Sequence, residues 1–508
     1  MSDVAVATSS QLAADAAREI AAAGGNAVDC ALAAALITMN TEPGVCALAG
    51  SAFITVWSGG EDPCTIDGNV AVPGAGLGEQ ERGQGAVPIS MDYGAGIRTL
   101  VGPGSVSVPG SLAAIECAWK KYGTAKWKEL FAPTIRATRD GFPLPTACRY
   151  YLGYSGDSIF GRSEDGYRAL HHPDGSLRDA GSVIVIPHLA DTLDAIAEEG
   201  AQLFYEGELA AALSDHCRNG GGMLTRQDLA DYRAIEREPL IAEIGGWSIA
   251  TNPPPAIGGA VLSALLISCS DMQDREWNRD SLRQLIDSQR ACLDFRARTL
   301  DLAEDLDAEV LKLLSLARDG SLLSRWSSAS TVHTSVVDSD GNGCAITASS
   351  GYGSGEMPQG TGLWLNNCLG EIELNRRGLD AGPVGSRLPS NMAPSVARRD
   401  GSVLAAGSPG ADRITTAMQQ FLINFLLFDM QLEDAVAHPR VHVDTSGSCV
   451  RLMSEPGLEL PDTDLPVVEF PEIGMYFGGI GAAAFSPSHG LMPAADPRRE
   501  GGTCLYEH

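Results

Sequence analysis

Residues 331–350 read TVHTSVVDSDGNGCAITASS. Apolar and polar positions alternate on either side of Asp340-Gly341-Asn342-Gly343, residues that tolerate the positive φ of tight turns. The pattern predicts two strands joined as a hairpin. Thr331 opens the first strand and directly follows the polar segment GSLLSRWSSAS at 320–330. Threonine is a common strand residue, and most such threonines only pack. A threonine exposed at a new chain terminus would be different. Were the Ser330–Thr331 bond cut, the freed α-amino group, with a reference pKa of about 8, would serve as general base for its own hydroxyl. Nucleophile and base would then share one residue.

Upstream, residues 11–23 place Leu12, Ala16 and Ile20 at helical spacing before Gly24-Gly25, a helix stop. Asn26 then caps NAVDCALAAALITMN, which is apolar nearly all round and is therefore predicted to lie between layers. SAFITVW from Ser51 reads as a strand, being rich in β-branched and aromatic residues. Residues 78–105 are glycine-rich and patternless, which predicts a long loop near the site. Helices are expected at 111–122, 126–140, 189–199 and 205–219, as one long amphipathic run from about 280 to 318, and at 414–428. The last sixty residues mix short strands and turns.

The chain has 508 residues, 44% of them hydrophobic, enough for a large core. Its 64 acidic and 36 basic residues give a formal charge of -28, which repels nucleic acid and anionic membranes. The twelve cysteines show no CxxC spacing, which argues against structural zinc or a redox dithiol. His438 and His442 are separated by Pro439, so they do not share a helix face as a metal pair would. No GxSxG, Walker A or HExxH signature occurs. The first residues lack a secretory core and no run has the length of a membrane span, which gives the expectation of a cytoplasmic protein.

Several separated segments carry a family resemblance. TVHTSVVDSDGN at 331–342 looks like the start of the small subunit of γ-glutamyltranspeptidases, and GSPGA at 407–411 with Arg413-Ile414 resembles their oxyanion segment. AGGNAVD (23–29), VPGSLAAIECAWKKYG (108–123), LFAPTIRATRDGFPL (130–144), GGMLTRQDLADY (221–232), PPPAIGG (253–259), LNNCLGEI (365–372), LPSNMAPS (388–395) and ADPRREGG (495–502) match in order. The resemblance implies an α+β, four-layer αββα sandwich of the N-terminal-nucleophile hydrolase type. It implies self-cleavage at Ser330–Thr331 into subunits 1–330 and 331–508, intertwined in one domain. By the same resemblance Thr331 is the nucleophile, Ser349 the hydroxyl that supports it, and Gly410 and Ala411 the oxyanion donors. Glu371 falls where a carboxylate accepts the substrate amino group, and Ser390 and Asn391 fall at the neighbouring substrate contacts. Cys368 replaces a polar amide or acid, and a polar residue expected after Ser349 is replaced near Gly351. No arginine aligns with the usual carboxylate clamp. Arg82, Arg98 and Arg387 are the candidates for that role, each of which could equally be an ordinary surface cation.

The function so implied is hydrolysis or transfer of a γ-glutamyl or related small acyl amide through a threonyl ester, with no metal or cofactor. Alternatives within the resemblance are oxamate-amidohydrolase-like or cephalosporin-acylase-like specificity, and an uncleaved non-catalytic homologue.

Overall fold

The 331–350 hairpin forms as its sequence predicts and sits at the centre of the molecule. In a computed structural model describing residues 2–92, 96–319, 331–372, 374–445 and 449–508, strands Val332–Asp338 and Gly343–Ser349 pair antiparallel, with Val332 opposite Ala348 and Val337 opposite Gly343. Around them a seven-stranded sheet runs in the order 502–506, 4–8, 332–338, 343–349, 51–57, 64–68, 235–237. A second sheet of six strands runs 490–495, 481–486, 402–407, 395–399, 247–251, 240–244. Both sheets therefore draw strands from before and after Thr331, and neither half of the chain could close its sheets alone.

The sheets face each other across Ala5, Val337, Ala345, Val396, Val403 and Ala405, all buried. The small side chains allow close approach of the two layers. Outside the first sheet lie helices Gln11–Ala22 and Ala27–Thr41. Every residue of the second of these is buried, as its all-round apolar sequence requires. Its N-terminus carries a reciprocal capping box between Asn26 and Asp29, and the buried Asp29 carboxylate also accepts from the backbone N–H groups of Thr124 and Ala125. Outside the second sheet pack Gly258–Ile267, Arg279–Arg298 and Arg413–Leu422, around a core that includes Ile249, Leu262, Leu285, Leu404 and Phe421. The result is the expected αββα sandwich.

Three expectations change. The 78–105 stretch is not a simple loop, because Val87–Met91 and Ile97–Val101 pair as a hairpin of their own. The 280–318 run is two helices, Arg279–Arg298 and Leu306–Asp319, separated by a short 3₁₀ turn. The 205–219 helix begins at Glu208, after a separate turn of helix at Gln202–Tyr205. Ser330 and the rest of 320–330 lie outside the described residues.

The ADPRREGG segment holds a buried charge cluster. Arg498 donates to Glu455 and, at 3.1 Å, to Asp496, and Asp496 also accepts from Arg440 at 2.7 Å and from Ile480 N–H at 2.8 Å. Burial pushes the Asp496 carboxyl up, but Arg440 and Arg498 outweigh it and hold it below the usual carboxylate range. This cluster ties strand 481–486 to the C-terminal segment and has a structural role.

Candidate active site

Thr331 immediately precedes strand 332–338 and is 3% exposed. The hairpin register, Val332 with Ala348, continues outward to place Ser349 across from it. Both line one cleft together with Glu371, Ser390, Asn391 and Ala411. Residues spread over eighty positions of sequence thus meet at one point. Ser349 is held from two sides: its Oγ accepts from Gly351 N–H at 3.1 Å, and its carbonyl accepts from Ser51 Oγ at 2.9 Å. Two residues back along the strand, the Thr347 hydroxyl is engaged with His333 Nδ1 at 2.8 Å.

Sequence reading missed the support given by His333. It is two residues along the strand from Thr331, is buried, and also contacts Ser335 Oγ at 2.7 Å through Nε2. Burial lowers its pKa to about 3, so the ring is neutral and cannot exchange protons as a base near pH 7. It packs against Gly407, where a Cβ would fall 2.2 Å from the ring. Gly407 ends the strand that leads into the oxyanion segment.

That segment has an unusual backbone. Gly410 has φ +120° and Ala411 φ +67°, the latter a left-handed conformation that normally favours glycine. The turn feeds helix Arg413–Leu422, so the amides of Gly410 and Ala411 lie at its positive end. Neither N–H has a hydrogen-bond partner among the described residues. Two adjacent donors at the positive end of a helix suit a developing oxyanion.

The segment is anchored by a network that sequence reading also missed. Asp412 Oδ1 accepts from Asn391 Nδ2 at 2.8 Å and from Arg296 Nη1 at 2.8 Å. Arg296, 1% exposed, also donates through Nε to Asp301 at 3.1 Å, and Arg376 Nε stands 3.3 Å from the other oxygen of Asp301. Burial alone would lower the Arg296 pKa, but Asp301 and Asp412 outweigh it and the net direction is up. One chain of contacts therefore joins helix 279–298 to both the 407–412 segment and the cleft-lining Ser390-Asn391 turn.

Glu371 is 3% exposed in the cleft wall. Gly351, with φ +67°, makes room for it: a Cβ there would fall 2.8 Å from Glu371 Oε2 and 2.3 Å from Asn367 Oδ1. This explains why the polar residue expected at this point is absent. Burial, and then the adjacent Glu371 carboxylate, push the Cys368 thiol well above its ordinary value, so Cys368 is a neutral thiol and not a competing nucleophile.

The three candidate arginines are not brought to the cleft. Arg387 donates to the Arg233 carbonyl, stacks 4.1 Å above the Tyr232 ring and lies 3.6 Å from Asp67. Its guanidinium is held at the sheet edge by a buried carboxylate and an aromatic face. Arg82 and Arg98 are exposed, Arg98 on the 97–101 strand. None of them lines the cleft.

Thr331 also lines a second cavity, with Ser9, Glu42, Pro409 and Arg499. Among the described residues it is the one common to the two linings. Burial raises the Glu42 carboxyl to about 7, against the opposing pull of the Ser9 hydroxyl and Arg499.

An αββα sandwich whose strand-heading Thr331 shares a cleft with Ala411, just ahead of a helix N-terminus, is the arrangement of an N-terminal-nucleophile hydrolase. The sequence model of the γ-glutamyltranspeptidase family matches residues 13–506. Among characterised proteins, the glutathione hydrolase proenzyme of Escherichia coli is 28% identical over 472 residues, spanning 86% of this chain and 79% of that protein. That of Pseudomonas aeruginosa is 30% identical over 477 residues, spanning 86% and 82%. The structure of cephalosporin acylase from Bacillus halodurans superposes over 100% of this chain and 96% of its own, with TM-score 0.79 and 24% identity. The γ-glutamyltranspeptidase of Pseudomonas nitroreducens complexed with L-DON covers 61% of this chain and 92% of its own, with TM-score 0.52 and 28% identity. The chain belongs to the γ-glutamyltranspeptidase family.

Proposed function

We propose that the chain cuts itself between Ser330 and Thr331 and that the resulting pair, 1–330 and 331–508, hydrolyses or transfers a small acyl group through an ester on Thr331. In maturation the Thr331 hydroxyl attacks the Ser330 carbonyl, and the N-to-O acyl shift leaves an ester that water opens. The α-amino group so released then takes the proton from Thr331 Oγ as that oxygen attacks the substrate amide. The tetrahedral oxyanion is received by the N–H groups of Gly410 and Ala411, each worth about 3 kcal/mol when well aimed. The Ser349 hydroxyl, across the hairpin, orients the nucleophile. Glu371, Ser390 and Asn391 bind the acyl part.

The observation that carries this reading is the meeting of Thr331 with Ala411 in one cleft, with the Gly410 and Ala411 amides unspent among the described residues. Supporting a γ-glutamyl amide as substrate are the relatives named glutathione hydrolases and the presence of the Glu371 carboxylate in the same cleft as Thr331. Intact mass and gel analysis of wild type beside Thr331→Ala, with γ-glutamyl-p-nitroanilide turnover on the same samples, tests it. Two fragments meeting at Ser330–Thr331 in wild type alone are expected. An uncleaved, inactive wild type would refute the proposal.

A further inference from the structure

Thr331 belongs to two spaces, the cleft it shares with Ser349 and Ala411 and a cavity of about 280 Å³ that it shares with Val332 and Pro409. Pro409 and Ala411 belong to one turn and line different spaces. The backbone that carries the Gly410 and Ala411 amides therefore runs between the two, with Thr331 at their junction.

An amide whose carbonyl oxygen points at those amides, with its carbon against Thr331 Oγ, has its acyl chain and its nitrogen substituent on opposite sides of the reacting carbon. With the acyl chain in the cleft, the nitrogen substituent enters the cavity. As the Oγ–carbon bond forms and the carbon–nitrogen bond breaks, the proton that the α-amino group took from Oγ passes to the nitrogen. A neutral amine then leaves through the same cavity.

Much of the cavity wall is apolar, supplied by Leu12, Val45, Pro143, Leu144, Pro145 and Ala147. Apolar surface continues beyond it. Val183, 61% exposed, pairs with Pro143. Tyr150, 49% exposed, stands one helical turn beyond the lining residue Thr146. The charged groups in the described lining are Glu42, Arg499 and Glu500. Glu42 accepts from the Ser9 hydroxyl, and Arg499 Nε donates to the Gly478 carbonyl at 3.3 Å. A carboxylate entering here meets two acidic side chains and one guanidinium that is already engaged. An apolar body instead takes the wall and the exposed side chains beside it out of water.

We propose that this cavity receives the amine half of the substrate and selects amines with an apolar or aromatic body over amino acids and peptides bearing a free carboxylate. The inference rests on the amide-hydrolase reading of Thr331 and adds the class of leaving group to it.

The benzylamide and hexylamide of the γ-glutamyl group, beside γ-glutamylglycine, vary the amine and hold the acyl group fixed. Glutamate release gives kcat/KM on purified wild type and on Ala147→Trp and Thr146→Trp, two variants that narrow the cavity from the start of helix 146–155. In wild type the benzylamide and hexylamide should each exceed γ-glutamylglycine by about tenfold or more. That advantage should shrink toward one in either tryptophan variant that folds. The wild-type ranking needs no variant. γ-Glutamylglycine turned over as well as the benzylamide by wild type, or an advantage that a folded tryptophan variant leaves intact, would overturn the inference and spare the hydrolase reading. Should no amide be turned over, calorimetry with N-benzylacetamide, N-hexylacetamide and N-acetylglycine reads the cavity without chemistry. Tighter binding of the first two would uphold the ligand class and sink the hydrolase reading. N-acetylglycine binding as tightly as N-benzylacetamide, or no binding by any of them, would overturn the inference.

Discussion

Replacing Glu42 by glutamine should stabilise the protein at alkaline pH and leave it almost unchanged in acid. Glu42 follows the last residue of helix 27–41, is 5% exposed, and receives a hydrogen bond from the Ser9 hydroxyl. Burial raises its carboxyl from 4.5 to about 7, while Ser9 and Arg499 pull in the other direction without reversing it. The folded state therefore keeps its proton to higher pH than the unfolded chain does. The associated stability is fully present below pH 4.5 and is lost as pH rises through about 7. At about 1.4 kcal/mol per pH unit, that window amounts to about 3 kcal/mol. Glutamine resembles the protonated acid in shape, can still accept from Ser9, and does not ionise. Urea unfolding at pH 5.5 and pH 8, on a Thr331→Ala background so that a single uncut chain unfolds, measures the difference. About 2 kcal/mol of relative gain for the glutamine variant is expected between the two pH values. A gain below about 0.5 kcal/mol would show that Glu42 ionises in the fold as it does in water, and the reasoning from burial would fail.

Three further outcomes follow from the geometry. Ala411→Val places a β-branched residue at φ +67° and misdirects the amide, so kcat should drop about 100-fold while Ala411→Gly stays within a few-fold; a valine variant with wild-type kcat would remove Ala411 from the oxyanion role. Asp29→Ala leaves the Thr124 and Ala125 N–H groups without their carboxylate, and should cost about 3 kcal/mol or more by urea midpoint; a cost under about 1 kcal/mol would mean that water replaces it. Asp412→Ala frees the buried Arg296 from one of its two carboxylates and releases Asn391, and should lower stability by about 3 kcal/mol and reduce kcat. Asp412→Asn, which keeps an accepting oxygen, should recover much of the kcat loss, and equal kcat in both variants would show that the anchor does not position the site.

Much of this molecule is legible in its sequence. The hairpin at 331–350 follows from alternation around a glycine and asparagine turn. The buried helix 27–41 follows from its apolar circumference and its Asn26 cap. Glycine followed by alanine at 410–411 marks a turn whose φ values are +120° and +67°. These features depend on residues a few positions apart, and a side-chain pattern records directly which face is buried and where the backbone must turn. The hairpin at 87–101 escaped because Pro88 and the surrounding glycines mask its alternation. The break between helices 279–298 and 306–319 escaped because the polar residues near it also suit a solvent-facing helix.

The partners of charged groups were decided only by the tertiary structure. Arg387, one of three arginines that could have been either a clamp or a surface cation, is held by Asp67 and Tyr232, residues far away in the chain. Asp412 and Arg296, 116 positions apart, form an anchor that neither local sequence suggests. Glu42 is an ordinary acid in the sequence, and only its burial by the closed fold moves its titration to about 7, against the pull of Ser9 and Arg499. Periodicity and backbone freedom are local properties that a chain carries in any conformation. Electrostatic pairing and desolvation depend on which distant segments the fold brings within a few ångströms, and they exist only once the sheets have closed around Thr331.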